Sequence, residues 1–142
     1  MEGPVCIAHQ LDLPYESKCN RLHGHNYFVQ VVIQATKLNE HGMVVDFTRV
    51  KEIIKRYDHA FLGGNCPEST LTNPSAAAVD PSTAEVFAGV LFAAIHLMLD
   101  RENKAADVHS VSVWETPNNK VTIYGSQASE ELERAGQLRL DA

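Results

Sequence analysis

The chain has 142 residues and a mass of 15.7 kDa, a size that fits one domain over 1–142 built on a single hydrophobic core. Twelve Lys and Arg against eighteen Asp and Glu leave a formal charge of −6, which argues against the broad phosphate-neutralising surface of a nucleic-acid binder and leaves room for a local basic pocket. Hydrophobic residues at 44% and charged residues at 21% are ordinary globular usage, not the composition of a disordered chain.

The first predicted element is a short strand around Val5–His9, followed by a polar loop containing Pro14, Ser17 and Cys19. A longer strand follows from Gly24 to Thr36, where Val29, Val31 and Ile33 alternate with Gln30, Val32 and Gln34. Asn39-Glu40-His41-Gly42 reads as a turn, and Met43-Val44-Val45 as a brief extended segment. Phe47, Val50, Ile53, Ile54 and Tyr57 then form an apolar helical stripe with Lys51, Glu52, Lys55 and Arg56 opposite. The Gly-, Asn-, Pro- and Ser-rich stretch Leu62–Pro81 is expected to be a long surface loop.

A second helix is predicted from Ser82 to about Leu99, opened by the capping-box pattern Ser82-Thr83-Ala84-Glu85. Its nearly apolar run Val86–Met98 is too short to span a bilayer, so no membrane partner is expected. Val108–Thr116 and Lys120–Tyr124, joined by Pro117-Asn118-Asn119, read as a hairpin, and 125–142 as a polar tail or short terminal helix. The order ββααββ predicts an α+β fold, an antiparallel sheet with two helices on one face. Its other face needs a cover, which a closed barrel of neighbouring subunits would supply. The absence of a basic-then-apolar opening, and three irregularly spaced cysteines, point to a reducing, cytoplasmic setting.

The seven histidines are the unusual feature. In Cys19-Asn20-Arg21-Leu22-His23-Gly24-His25, strand periodicity turns His23 and His25 to one face. His9 shares the parity of Val5 and Ile7, and antiparallel pairing of the two strands would set it beside them. Three imidazoles at one point suit zinc and leave one coordination position open. The same histidines could instead be hydrogen-bonded sheet residues. Cys19 is either a fourth ligand closing the site or a free thiolate able to abstract a proton, and spacing alone does not choose.

Asp58-His59 follows the first helix, where the Asp can hold the His tautomer, or where a solvated His simply finishes the helix. Glu115 has the parity of inward-facing Val111 and Val113, which suits a carboxylate that grips a bidentate N–H donor; an edge-strand Glu in solvent is the alternative. His41, His96 and His109 have no partners at ligand spacing and read as structural, and Cys6 as a small buried hydrophobe.

Taken in order, Ala8-His9, Cys19-x-x-x-His23-Gly24-His25, Gly42-Met43-Val44-Val45-Asp46-Phe47, Asp58-His59, Thr83-Ala84-Glu85 and Trp114-Glu115-Thr116 resemble the 6-pyruvoyl-tetrahydropterin synthase and 6-carboxy-tetrahydropterin synthase family over about Cys6 to Tyr124. The three-residue gap between Cys19 and His23 is similar to the carboxy-producing, queuosine-pathway branch. The resemblance implies a tunnelling fold assembled as trimers, commonly paired into hexamers, with active sites between subunits. It implies Zn2+ on His9, His23 and His25, Cys19 as general base, Asp58 and His59 completing a proton relay, Glu115 anchoring a pterin ring, and Thr83 and Glu85 at the pterin pocket or interface. The implied reaction converts 7,8-dihydroneopterin triphosphate to 6-carboxy-5,6,7,8-tetrahydropterin, acetaldehyde and triphosphate. Loss of triphosphate with the three-carbon side chain retained, the pyruvoyl-type reaction, is the close alternative. A zinc-stabilised pterin-binding oligomer without turnover is the alternative of another class. Lys18 and Arg21 are triphosphate candidates by charge.

Overall fold

The computed structural model describes residues 1–63, 71–72, 83–127 and 139–140. Strands β1 (Glu2–Gln10), β2 (His23–Ala35), β3 (Ala60–Gly63), β5 (Ala106–Thr116) and β6 (Asn119–Tyr124) form one sheet in the order β3-β1-β2-β5-β6. β1 pairs antiparallel with β2, β2 with β5 and β5 with β6, while β3 runs parallel to β1. The backbones of β4 (Leu71–Thr72) and β7 (Arg139–Leu140) pair antiparallel as a separate ribbon.

Helices α1 (Phe47–Lys55) and α2 (Ala84–Glu102) cover one face of the sheet. The fold is therefore α+β, as the element order predicts. Alternation along each strand puts Val5, Ile7, Tyr27, Val29, Val111 and Val113 under the helices, where they meet Val50, Ile53 and Ile54 of α1 and Phe87, Leu91, Ile95 and Leu99 of α2. Each of the fully buried Leu and Ile side chains removes enough apolar surface from water to contribute roughly 1.5–3 kcal/mol.

Local chemistry sets the helix ends. The Asp46 carboxylate accepts from Thr48 N at 2.9 Å and from the Thr48 hydroxyl at 2.7 Å, which starts α1 and holds the Asp46 carboxyl below its ordinary range. For α2 the described cap is Thr83, whose Oγ1 accepts from Val86 N at 3.2 Å. The cap expected at Ser82 lies outside the described residues, and with Thr83 capping, Glu85 falls in the first turn and not at the reciprocal position of a capping box.

Several boundaries differ from the sequence expectation. β1 runs the full span Glu2–Gln10 and is not the short strand predicted. α1 ends at Lys55, yet Tyr57 stays buried because Tyr57 N donates to Ile54 O at 3.1 Å and folds the chain back. Met43-Val44-Val45 forms no strand: the Asn39 side chain accepts from His41 N and Met43 N, each at 3.0 Å, and curls the segment into a loop. α2 continues past Leu99 to Glu102, since Asp100, Arg101 and Glu102 are compatible with a last turn and Asn103 N bonds Leu99 O at 2.8 Å. The strand Ala60–Gly63 takes the beginning of what was expected to be loop; residues 64–70 and 73–81 of that loop, and 128–138 and 141–142 of the tail, lie outside the described residues. No helix among the described residues is long and apolar enough to cross a membrane.

Candidate metal centre

The register of β1 on β2 builds the centre. His9 lies opposite His23, Ile7 opposite His25 and Val5 opposite Tyr27, so all the odd-numbered side chains of this corner point to the helix-covered face. The ring centroids of His9 and His23 are 4.3 Å apart, those of His23 and His25 5.0 Å, and those of His9 and His25 5.1 Å. One nitrogen from each ring lies within 4.8 Å of the other two, and the three histidines could hold a metal ion. His9 is 1% exposed; His23 and His25 are half-buried.

The hydrogen bonding of the rings fits a cation. His23 Nδ1 is 2.6 Å from the Arg21 carbonyl, a contact that only an Nδ1–H can make favourably, so His23 Nε2 carries a lone pair. That nitrogen faces His9 Nε2 at 2.8 Å. His25 Nε2 is buried with no hydrogen-bond partner; Glu115 Oε1 is 3.3 Å away but out of hydrogen-bond alignment. A buried, unbonded imidazole nitrogen next to two facing ring nitrogens is the donor set a divalent ion satisfies.

Cys19 belongs to a short 3-10 turn, Lys18–Asn20, capped by the Ser17 hydroxyl, which accepts from Cys19 N at 3.1 Å. The Cys19 carbonyl accepts from Leu11 N at 3.0 Å, tying the turn to the chain two residues past His9. Cys19 is exposed, and its sulfur is not among the atoms gathered within 4.8 Å of one another. The Cys19 sulfur therefore stands outside the cluster of ring nitrogens.

Asp58 and His59 are placed elsewhere. The Asp58 carboxylate accepts from Cys6 N at 2.9 Å, and His59 N donates to Cys6 O at 2.7 Å, so the pair grips both backbone groups of Cys6. The Cys6 amide, ahead of His59, holds the Asp58 carboxyl below its ordinary range. His59 Nδ1 lies 3.1 Å from Asp58 Oδ2, and the ring is 82% exposed. Its φ of 63° is uncommon for a non-glycine residue and is maintained by the two Cys6 bonds. Cys6 pairs with Asn26, the residue after His25, and its side chain has the parity of the sheet face away from the trio. His59 lines a cavity of about 410 Å³ with Cys6, Ile7, Ala8, Gly24, His25, Asn26 and Ala60, and so shares that lining with one histidine of the trio. Cys6 is not packed as a small hydrophobe there: its thiol donates to Asn26 Oδ1 at 3.3 Å and it is half-buried.

Glu115 does reach the trio, through the 3.3 Å approach to His25. Thr83 is occupied as a helix cap, and Glu85 in the first turn of α2 is exposed. Burial first, then the carboxylates of Glu115 and Glu85, raise the Tyr27 phenol above its ordinary value. The sequence reasoning passed over Tyr27, although it continues the parity of His23 and His25 and that signal was available. His41, His96 and His109 stand outside the site, near Glu40, Asp100 and Ser110 respectively.

Comparison with known proteins adds three findings. A family model described as 6-pyruvoyl tetrahydropterin synthase matches residues 2–126. The chain is similar to a probable 6-carboxy-5,6,7,8-tetrahydropterin synthase of Halobacterium salinarum, 36% identical over 120 residues that cover 80% of this chain and 77% of that one. A putative 6-carboxy-5,6,7,8-tetrahydropterin synthase of Pyrococcus horikoshii is 53% identical over 55 residues, 39% of this chain, and the match spans about a third (34%) of that relative's length. Among solved structures, 6-pyruvoyl tetrahydropterin synthase of Caenorhabditis elegans is similar with a TM-score of 0.55 and 23% identity, covering 85% of this chain and 89% of that one, a likeness of fold. The fold is that of a tunnelling-fold subunit.

Proposed function

The chain belongs to the 6-pyruvoyl tetrahydropterin synthase family, and from that premise we propose that it is a zinc-dependent lyase converting 7,8-dihydroneopterin triphosphate to 6-carboxy-5,6,7,8-tetrahydropterin, acetaldehyde and triphosphate. The observation that carries this reading is the gathering of one nitrogen each from His9, His23 and His25 within 4.8 Å, with the Cys19 sulfur outside the set. The names of the Halobacterium and Pyrococcus relatives support the carboxy-producing branch. We place the protein in the cytoplasm, in queuosine biosynthesis, as a homotrimer or a hexamer of paired trimers.

On this reading His9, His23 and His25 hold Zn2+, which would supply Lewis-acid polarisation of the substrate side chain. Cys19, exposed and outside the cluster of ring nitrogens, takes a proton as general base. Glu115 accepts the paired N–H groups of the pterin edge, and Thr83 and Glu85 border the same pocket. Asp58 holds His59 with Nδ1–H toward its carboxylate, which frees Nε2 of an outward-facing ring to exchange protons. Asp58 and His59, seated on the Cys6 backbone, complete the proton relay of a centre formed between subunits. Lys18 and Arg21 meet the charge of the departing triphosphate.

Product analysis with 7,8-dihydroneopterin triphosphate tests the proposal. Release of both acetaldehyde and triphosphate is the expected result. Triphosphate release with a retained three-carbon side chain would make the protein a pyruvoyl-type lyase, and binding without either product would make it a non-catalytic pterin-binding oligomer.

A further inference from the structure

We propose that Tyr27 is a positioning residue of the three-histidine centre: its hydroxyl accepts the Nδ1 hydrogen of His9 and holds that ring with its Nε2 lone pair toward the other two imidazoles. The inference rests on the metal-site reading above. Tyr27 Oη lies 3.4 Å from His9 Nδ1, and the pair is fully buried, Tyr27 and His9 each 1% exposed. A buried hydroxyl needs a partner, and here a ligand ring provides it. The neighbouring core positions on the same two strands, Val5, Ile7 and Val29, are aliphatic, so a hydroxyl at this place is not what packing alone requires.

The arrangement repeats what His23 shows more tightly. There the Arg21 carbonyl takes Nδ1–H at 2.6 Å and leaves Nε2 free for the centre. Tyr27 does the same for His9. A ligating histidine commonly has its second nitrogen held in this way, since the outer bond sets both tautomer and ring direction. The Tyr27 ring adds a second constraint. It stands edge to face against His9 (centroids 6.1 Å, interplanar angle 88°) and His25 (5.7 Å, 90°), and is itself backed by Phe87 of α2 at 5.8 Å. Tyr27 thus walls in two of the three ligand rings and transmits the packing of α2 to them.

The test is the zinc affinity of the purified full chain, measured by competition with a chromophoric chelator, for the unaltered protein, Tyr27→Phe and Leu99→Ala. Tyr27→Phe keeps the ring wall and removes only the hydroxyl. It is expected to weaken zinc binding about 10- to 100-fold and to change the visible spectrum of the cobalt(II)-substituted protein. Leu99, fully buried near the far end of α2, serves as the packing control: its variant should unfold at lower temperature with zinc affinity within about twofold of the unaltered chain. A second readout needs no variant: nitrogen-15 NMR of the zinc-loaded chain should show a slowly exchanging His9 Nδ1–H. Equal affinity in Tyr27→Phe, or an equal loss in Leu99→Ala, would overturn the positioning role while leaving the metal site standing. An unaltered chain that takes up no zinc would remove the metal site and this role together.

Discussion

His9 Nε2 faces His23 Nε2 across 2.8 Å, and the Nδ1–H of His23 is already given to the Arg21 carbonyl. Two ring nitrogens at this distance need either a proton shared between them or a metal ion there, and with His25 Nε2 buried and unbonded beside them the corner has the donor set of a cation site. Single substitutions His9→Ala and His23→Ala should each reduce bound zinc from stoichiometric to background, measured by metal analysis after dialysis. Loading the unaltered chain with free zinc at a thousandfold excess over its dissociation constant should stabilise it by about 4 kcal/mol, seen as a rise in Tm that a chelator reverses.

Cys19 is exposed, and its sulfur lies outside the cluster of ring nitrogens. Cys19→Ala should therefore lower turnover about 10²- to 10⁴-fold, the ordinary range for removing a general base, while zinc content is unchanged. Loss of zinc in this variant would make the thiol a ligand and the site closed.

The Asp58 carboxyl is held below its ordinary range by the Cys6 amide first and by His59 after it. A carboxyl depressed in the folded state contributes stability that is present above its unfolded pKa and is lost as pH falls through the folded value. Acid unfolding of the unaltered chain should therefore include a component that begins below the ordinary Asp range of about 4. In Asp58→Asn that component should be missing from the difference between two pH-dependent unfolding curves, and turnover should fall as His59 loses its hold.

Tyr57 is buried, and burial pushes its phenol from 10.0 up to about 12. Its neutral form is favoured by folding, so the contribution is complete below pH 10 and is lost as pH rises toward 12. Tyr57→Phe should flatten alkaline destabilisation over that interval by roughly 2–3 kcal/mol in denaturant titrations at successive pH values.

Much of the fold was legible because the signals were local. Val29, Val31 and Ile33 alternate as a strand must, and Val50, Ile53, Ile54 and Tyr57 recur as a helix face must, and both segments were found within a few residues of their ends. The strand Ala60–Gly63 was not found. Its four residues carry no alternation of their own, and they are a strand only because β1 offers a parallel edge to pair with. The α2 cap was read at Ser82, one residue before the described cap at Thr83, because Ser and Thr are both good caps and the choice depends on which hydroxyl meets a free amide.

At the site the same division holds. Residue order alone determined that His23 and His25 share a face, that His9 has matching parity, and that Glu115 points the same way, because strand periodicity is a property of the chain. Only the tertiary structure decided that His9 lies opposite His23, that the Cys19 sulfur stays outside the nitrogen cluster, and that Asp58 and His59 grip the backbone of Cys6. Those outcomes depend on strand register, on a capped turn and on a hydrogen bond between residues 52 apart in the chain, none of which any short stretch of sequence contains.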